Sequence, residues 1–78
     1  MTNRETFTRV LSAQYTRLFE TPDYALARAR YSPDALAEKM TSGLVDGTAN
    51  KDGEGILLTC KHLKLKPTYK AIREYLSA

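Results

Sequence analysis

Residues 55–76 read GILLTCKHLKLKPTYKAIREYL and decide the fold. The apolar residues of the first half recur at steps of one, three and four positions, which is the helical period: Ile56, Leu57, Cys60 and Leu63. Pro67 interrupts this pattern, because a proline disfavours helical geometry in the residue before it. Either Pro67 or Thr68 can then open a second helix, which carries Ile72 and Leu76 one turn apart. The stretch therefore predicts a helix, a short basic turn and another helix.

The N-terminal region predicts one helix over residues 3–20. Thr2 or Asn3 can cap its start, and Glu5 lies in the first turn, where the helix dipole favours an anion. No glycine or proline interrupts the segment before Pro22. The residues of the stripe that fall at helical spacing are Phe7, Val10, Leu11, Gln14 and Leu18, widened by Tyr15 and Phe19. This stripe is typical of a helix that packs one side on a core.

Two restart signals predict two further helices. Thr21-Pro22-Asp23 combines a capping side chain, a proline and an acid, and it favours a short helix over residues 22–30 with Tyr24 and Leu26 as anchors. Ser32-Pro33-Asp34 repeats the signal and favours a helix over residues 33–45. The buried line of that helix is Leu36, Met40 and Leu44.

Residues 46–55 contain three glycines and begin as a loop. A fourth helix is placed at residues 52–64, with its start left open, because Asn50 can cap an early start while glycines weaken the first turn. The glycines either let another part of the chain come close or belong to the loop. Together the segments predict an all-α fold, a single helical domain over residues 1–78.

Length and composition narrow the class of protein. A chain of 78 residues buries a small core, so a homodimer or another partner would add to its stability. The bundle should hold four to five helices and end in a helix-turn-helix-like hairpin. One cysteine cannot form an internal disulfide, and no apolar run is long enough to span a membrane. These features predict a cytoplasmic protein.

The sequence lacks the residue patterns that catalysis or metal binding requires. Cys60 and His62 lie about 200° apart around a helix, and zinc would need further ligands of the same kind. The acids from Asp46 to Glu54 lack the spacing of a calcium loop, and Gly55 is not followed by the Lys and Ser or Thr of a phosphate loop. We therefore expect no catalytic residue, no metal ligand and no cofactor, and so no enzyme.

The charges are separated along the chain. Residues 1–31 carry five basic and three acidic side chains, residues 32–55 carry two and five, and residues 56–78 carry five and one. A phosphate backbone would be attracted to the basic ends, and so would an acidic protein surface. The residues predicted to contact nucleic acid or another partner are Lys61, Lys64, Lys66, Thr68, Lys70 and Arg73.

Three interpretations of this basic end stay open. The first is nucleic-acid binding by a helix-turn-helix-like pair, although Lys64 stands where that motif usually has glycine and the turn is about two residues longer. The second is a protein–protein interaction module, with arginines and exposed tyrosines as anchors. The third is a self-associating structural protein. An ordinary helical hairpin with solvated lysines would explain the same pattern.

The block from Gly55 to Leu76 also resembles the C-terminal end of small helical proteins encoded by tailed phages. The residues that carry the resemblance are Gly-Ile-x-x-Thr-Cys-Lys-x-Leu-x-Leu-Lys-Pro-Thr-Tyr-Lys-Ala-Ile-x-x-Tyr-Leu, within residues 47–77. The resemblance implies an accessory protein of the host cytoplasm that binds DNA or inhibits a host or defence protein. The resemblance implies no catalytic residue in this chain.

Overall fold

A computed structural model describes all residues from Met1 to Ala78. Its elements are α1 (Asn3–Leu18), a 3-10 turn (Pro22–Tyr24), α2 (Ala25–Arg30), α3 (Pro33–Asp46), α4 (Glu54–Leu63) and α5 (Tyr69–Ser77). The all-α prediction is confirmed, and the boundaries predicted for the first four helical segments lie within two residues of the observed ones. The segment predicted as one helix over 22–30 begins as the 3-10 turn and continues as α2.

Three of the helices are preceded by a residue whose side chain caps the helix N-terminus. Thr2 and Glu5 form a reciprocal capping box at α1, in which each side chain accepts a hydrogen bond from the backbone of the other residue. The bonds to Thr2 lower the pKa of the Glu5 carboxyl group. Ser32 and Thr68 begin α3 and α5, each accepting the backbone N–H three residues further on at 3.1 Å. These caps explain why the helices begin where they do.

Helix α1 is the centre of the molecule. α3, α4 and α5 all pack against it, and α3 also contacts α5. Each of these helices contributes side chains to one shared core. The largest fully buried side chains of this core are Phe7, Leu11, Leu44, Ile56, Ile72, Thr41, Thr59 and Cys60. Burial of this apolar surface is the main favourable term in the free energy of folding.

Polar groups tie the helices together around this core. The Thr8 hydroxyl donates to the Thr41 hydroxyl at 3.0 Å, between α1 and α3. The Asn3 side-chain amide donates to the backbone carbonyl of Tyr75 at 3.0 Å, which joins the start of α1 to the end of α5. Every buried side-chain oxygen and nitrogen has a hydrogen-bond partner, so none carries the free-energy cost of an unsatisfied buried group.

An aromatic cluster closes the C-terminal half of α1. The rings of Tyr15, Phe19 and Tyr24 have centroids 6.1–6.3 Å apart. Burial raises the pKa of the Tyr15 phenol, and the neighbouring Tyr24 adds to this shift. Gly55, in the first turn of α4, lies so close to Tyr15 that a Cβ atom there would be 2.6 Å from its Cε1. This glycine permits a close approach of α4 to α1.

A second glycine shapes the end of α3. The carbonyl oxygen of Gly43 accepts three backbone N–H groups, from Gly47, Thr48 and Ala49, at 2.9–3.1 Å. A Cβ atom at Gly43 would lie 2.7 Å from the Cβ of Ala49, so the loop can fold back onto α3 only because this residue has no side chain. Gly47 ends the helix at φ 89°, a conformation that glycine adopts readily.

Two sequence-based expectations were wrong. Leu26 does not anchor α2, since 76% of its surface is exposed. Tyr24 and Ala27 pack on the core instead, and the Arg28 guanidinium donates to the carbonyl of Phe19 at the end of α1. Asn50 does not cap α4, because its side-chain oxygen accepts the N–H of Asp52 inside the loop. The residue that precedes α4 is Gly53, which offers no side-chain cap.

The contact at Gly55 predicts an unequal response of two neighbouring glycines to alanine. Gly55→Ala should lower the free energy of unfolding by about 1–3 kcal/mol, because the added methyl group collides with the Tyr15 ring. Gly53→Ala is the control, since its Cβ would meet only the Asn50 carbonyl oxygen at 3.9 Å, and its effect should not exceed about 0.5–1 kcal/mol, the loss expected when alanine replaces glycine at an N-cap. Urea denaturation measures both. Equal effects would contradict the close approach.

Candidate functional site

The connection between α4 and α5 holds the middle of the predicted site. α4 ends at Leu63, and Lys64 adopts φ 59°, the left-handed conformation that usually belongs to glycine. The N–H of Leu65 returns to the carbonyl of Cys60 at 2.8 Å, which closes the helix end. Residues 64–68 then lead to the Thr68 cap, so the longer turn expected from the sequence is present.

Four of the predicted site residues form what we call the lysine cluster: Lys61, Lys64, Lys66 and Lys70. All four are exposed. None has an acidic partner, because the only ion pair in the structure joins Lys51 to Asp52 at 2.8 Å. That pair, through the hydrogen bond to Asp52, raises the pKa of the Lys51 ammonium group. The lysine cluster is therefore a local excess of free positive charge.

The other two predicted site residues, Thr68 and Arg73, are also exposed but make hydrogen bonds within the protein. The Thr68 hydroxyl accepts the N–H of Ala71 as the cap of α5. The Nε of Arg73 donates to the carbonyl of Leu44 at 3.0 Å, and its guanidinium group lies 5.0 Å from the centroid of the Tyr69 ring. Arg73 therefore satisfies a carbonyl near the end of α3 and holds α5 against α3.

A groove between α1 and α4 extends the cationic surface. It encloses about 330 Å³ and is lined by Gln14, Arg17, Leu58, Lys61 and His62. The lining contains no carboxylate. Arg17 lies on α1 and Lys61 on α4, so only the packing of these two helices brings them to the same groove. The guanidinium of Arg17 also donates to the side-chain oxygen of Gln14.

An acidic cleft lies on a different flank of α1. It is formed with α3 and lined by Glu5, Thr8, Arg9, Ser12, Asp34 and Glu38. The Ser12 hydroxyl donates to the Asp34 carboxylate across it. Ser12 and Arg17 are five residues apart on α1, which turns their side chains about 140° from each other. The two flanks of α1 therefore carry opposite charge, and a polyanion would be attracted to the side of α4.

The orientation of α5 can be compared with that of the second helix of a helix-turn-helix motif, which enters the major groove of DNA. The order helix, turn, helix is present, but α5 packs on α1 and α3 through the buried Ile72 and Leu76. Its exposed side carries Lys70 and Glu74, one turn apart and opposite in charge. Free positive charge therefore collects at the lysine cluster, which includes Lys70 in the first turn of α5, while Glu74 adds the opposite charge further along that helix.

The tyrosines do not form the exposed anchors expected for a protein interface. Tyr15 is buried, and the other four tyrosines are half-buried. Tyr69 shows the reason, because its hydroxyl accepts the N–H of Lys51 at 3.2 Å and its ring lies beneath Arg73. The tyrosine rings are thus used mainly inside the fold.

The side chains with chemically reactive groups are Cys60 and His62. Cys60 is buried in the core, and this burial raises the pKa of its thiol, which disfavours the thiolate. His62 is exposed at the edge of the α1–α4 groove. No three His, Cys, Asp or Glu side chains converge where they could hold a metal ion. The most evident chemical property of the surface is therefore its charge.

Comparisons with protein-family models, with curated proteins and with solved structures found no match to this chain. None of the helices has the length and apolar character needed to cross a membrane. The functional inference therefore depends on the surface itself, above all on the lysine cluster and the α1–α4 groove.

The position of Arg73 predicts a structural role that can be separated from that of the lysine cluster. Arg73→Ala should lower the free energy of unfolding by about 1–3 kcal/mol, because the Leu44 carbonyl loses its donor and Tyr69 loses its cover. Lys70→Ala on the same helix is the control and should stay within about 0.5 kcal/mol. Thermal denaturation measures both. An Arg73→Ala variant as stable as the control would contradict this role.

Proposed function

We propose that the protein is a small, non-enzymatic nucleic-acid-binding protein that holds the phosphate backbone at the lysine cluster. The observation that carries the proposal is the set of four exposed lysines without acidic partners, gathered around the end of α4 and the start of α5. Arg17 extends this charge along the α1–α4 groove. Lysine and arginine side chains that neutralise phosphates release condensed counterions, which is the main source of sequence-independent affinity.

The side chains of the surface favour duplex over single-stranded nucleic acid. Single strands are usually held by aromatic rings on which bases stack, and no tyrosine here is freely exposed. Base reading in the major groove requires planar or hydrogen-bonding groups that are free to reach base edges. Thr68, the cap of α5, and Arg73 on that helix are the two candidates, and both have partners within the fold. We therefore expect binding to the backbone with little sequence preference.

The first experiment measures fluorescence anisotropy of a mixed-sequence DNA duplex over a range of salt concentrations. If four or five phosphates are contacted, the logarithm of the affinity should fall with the logarithm of salt with a slope of about −3.5 to −4.5. Lys64→Glu with Lys66→Glu should lower the affinity about tenfold or more at low salt. Absence of binding at low salt would contradict the proposal.

A matched control separates the lysine cluster from the overall charge. Arg30→Glu with Lys39→Glu changes the net charge by the same amount, at two exposed residues on α2 and α3. Both double variants are compared at about 0.1 M salt, where exposed charges more than about 10 Å apart are largely screened, and there the control pair should weaken binding by no more than about threefold. An equal loss in both double variants would show that only net charge matters and would reject the lysine cluster as the site.

The backbone of Lys64 predicts opposite effects on stability and binding. Lys64→Gly should raise the free energy of unfolding by about 0.5–1 kcal/mol, because glycine adopts φ 59° without a Cβ penalty. The same variant should lose a few-fold in affinity for DNA through the missing charge. Lys64→Ala is the control, since it loses the charge and keeps the strained backbone. Denaturation and anisotropy on the three proteins test both effects.

A second function is supported by one further observation. Leu57 and Leu58 are adjacent on α4, 40% and 37% exposed, and lie between the charged residues Glu54 and Lys61. This favours a protein–protein interaction module, such as the phage-encoded inhibitor of a host or defence protein that the sequence resemblance implies. A stoichiometric host protein retained by the native chain, and lost with Leu57→Ser and Leu58→Ser while DNA binding persists, would support it.

A further inference from the structure

The outward side of α4 carries an unusual set of residues. Among the helices, α4 packs substantially on α1 only, which leaves its opposite side uncovered. Leu57 and Leu58 lie toward that side, partly exposed, and Leu58 also borders the α1–α4 groove. Glu54 precedes them by one turn, and Lys61 follows them by one turn. Positions separated by three, four and seven residues share one helix face, so the four side chains form a single stripe.

This stripe is complementary to itself. Its midpoint falls between Leu57 and Leu58, and Glu54 and Lys61 lie at equal distances before and after this midpoint. If two copies of α4 lie antiparallel about a two-fold axis through this midpoint, Leu57 of each copy faces Leu58 of the other. In the same arrangement Glu54 of each copy faces Lys61 of the other. A two-fold interface requires this kind of self-matching surface.

Both charges of the stripe are free in the single chain. The one ion pair of the structure joins Lys51 to Asp52, so Glu54 and Lys61 have no acidic or basic partner of their own. A parallel arrangement of two α4 helices would instead place Lys61 next to Lys61, which is repulsive. The distribution of charge therefore selects the antiparallel orientation.

We propose that the protein forms an antiparallel, two-fold dimer through the Glu54–Leu57–Leu58–Lys61 stripe of α4. The occupant of the apolar face is a second copy of this chain, because the charge pattern is matched within the stripe and needs no other protein. A single pair of helices covers less than the roughly 1,200 Å² of a standard interface, so the dimer is weak and depends on concentration.

The dimer has a consequence for the lysine cluster. Lys64 lies six and a half positions from the midpoint, so the two copies of Lys64 would be about 20 Å apart along the paired helices. Lys61 would be engaged by Glu54, and Lys64, Lys66 and Lys70 of each copy would stay free at opposite ends. The proposal does not depend on nucleic-acid binding and can fail or hold without it.

Sedimentation velocity over a concentration series up to about 1 mM tests the dimer, since weak association appears only near its dissociation constant. The native protein should pass from monomer to dimer, and Leu57→Ser with Leu58→Ser should remain monomeric. Leu26→Ser is the matched control, because this leucine is 76% exposed on α2 and should leave the dimer intact. A native protein that is monomeric throughout, or a dimer unaffected by the double serine variant, overturns the proposal.

Charge exchange tests the orientation without altering the leucines. Glu54→Lys and Lys61→Glu should each weaken the dimer by about tenfold, because each places like charges opposite one another. An equimolar mixture of the two variants should regain a dimer, since both contacts then join an acid to a base. The variant with both exchanges should also regain it. Circular dichroism verifies that each variant is folded, and failure of both rescues overturns the antiparallel arrangement.

Discussion

The contact between Gly55 and the Tyr15 ring is the constraint on which the position of α4 depends. It brings the first turn of α4 within van der Waals distance of α1, and Ile56, Thr59 and Cys60 then enter the core. A larger residue at position 55 would move the helix axis outward. That movement would open the groove where Arg17 and Lys61 meet, so the close approach that stabilises the core also sets the geometry of the cationic surface.

Two sets of basic residues have different roles. Arg28 and Arg73 donate to backbone carbonyls and join neighbouring elements of the fold. The lysine cluster makes no such contacts, and its four ammonium groups are exposed to water. The high dielectric constant of water keeps the repulsion between them small. This division follows from the chemistry of the two side chains, since the guanidinium group is planar, less strongly hydrated and suited to stacking on Tyr69.

The sequence predicted the helices well because their signals are local. Apolar periodicity and the caps at Thr2, Ser32 and Thr68 depend on residues a few positions apart. The contacts of Gly43 and Arg73 join different elements and could not be read from spacing. Leu26 was misjudged for the same reason, since an apolar residue on a six-residue helix is buried only if another element covers it.

The composition of α4 shows why this helix is the place to look for contacts beyond the chain. Apolar residues occupy both its inner and its outer side, a pattern expected of a helix covered on both. Within the single chain, α1 covers one side only. Leu57 and Leu58 stabilise the single chain through the larger, buried part of their side chains, but 40% and 37% of their surface stays in contact with water. The exposed leucines, set between an unpaired acid and an unpaired base, therefore favour a second helix on this face, whereas the unpaired lysines beyond it favour an anion.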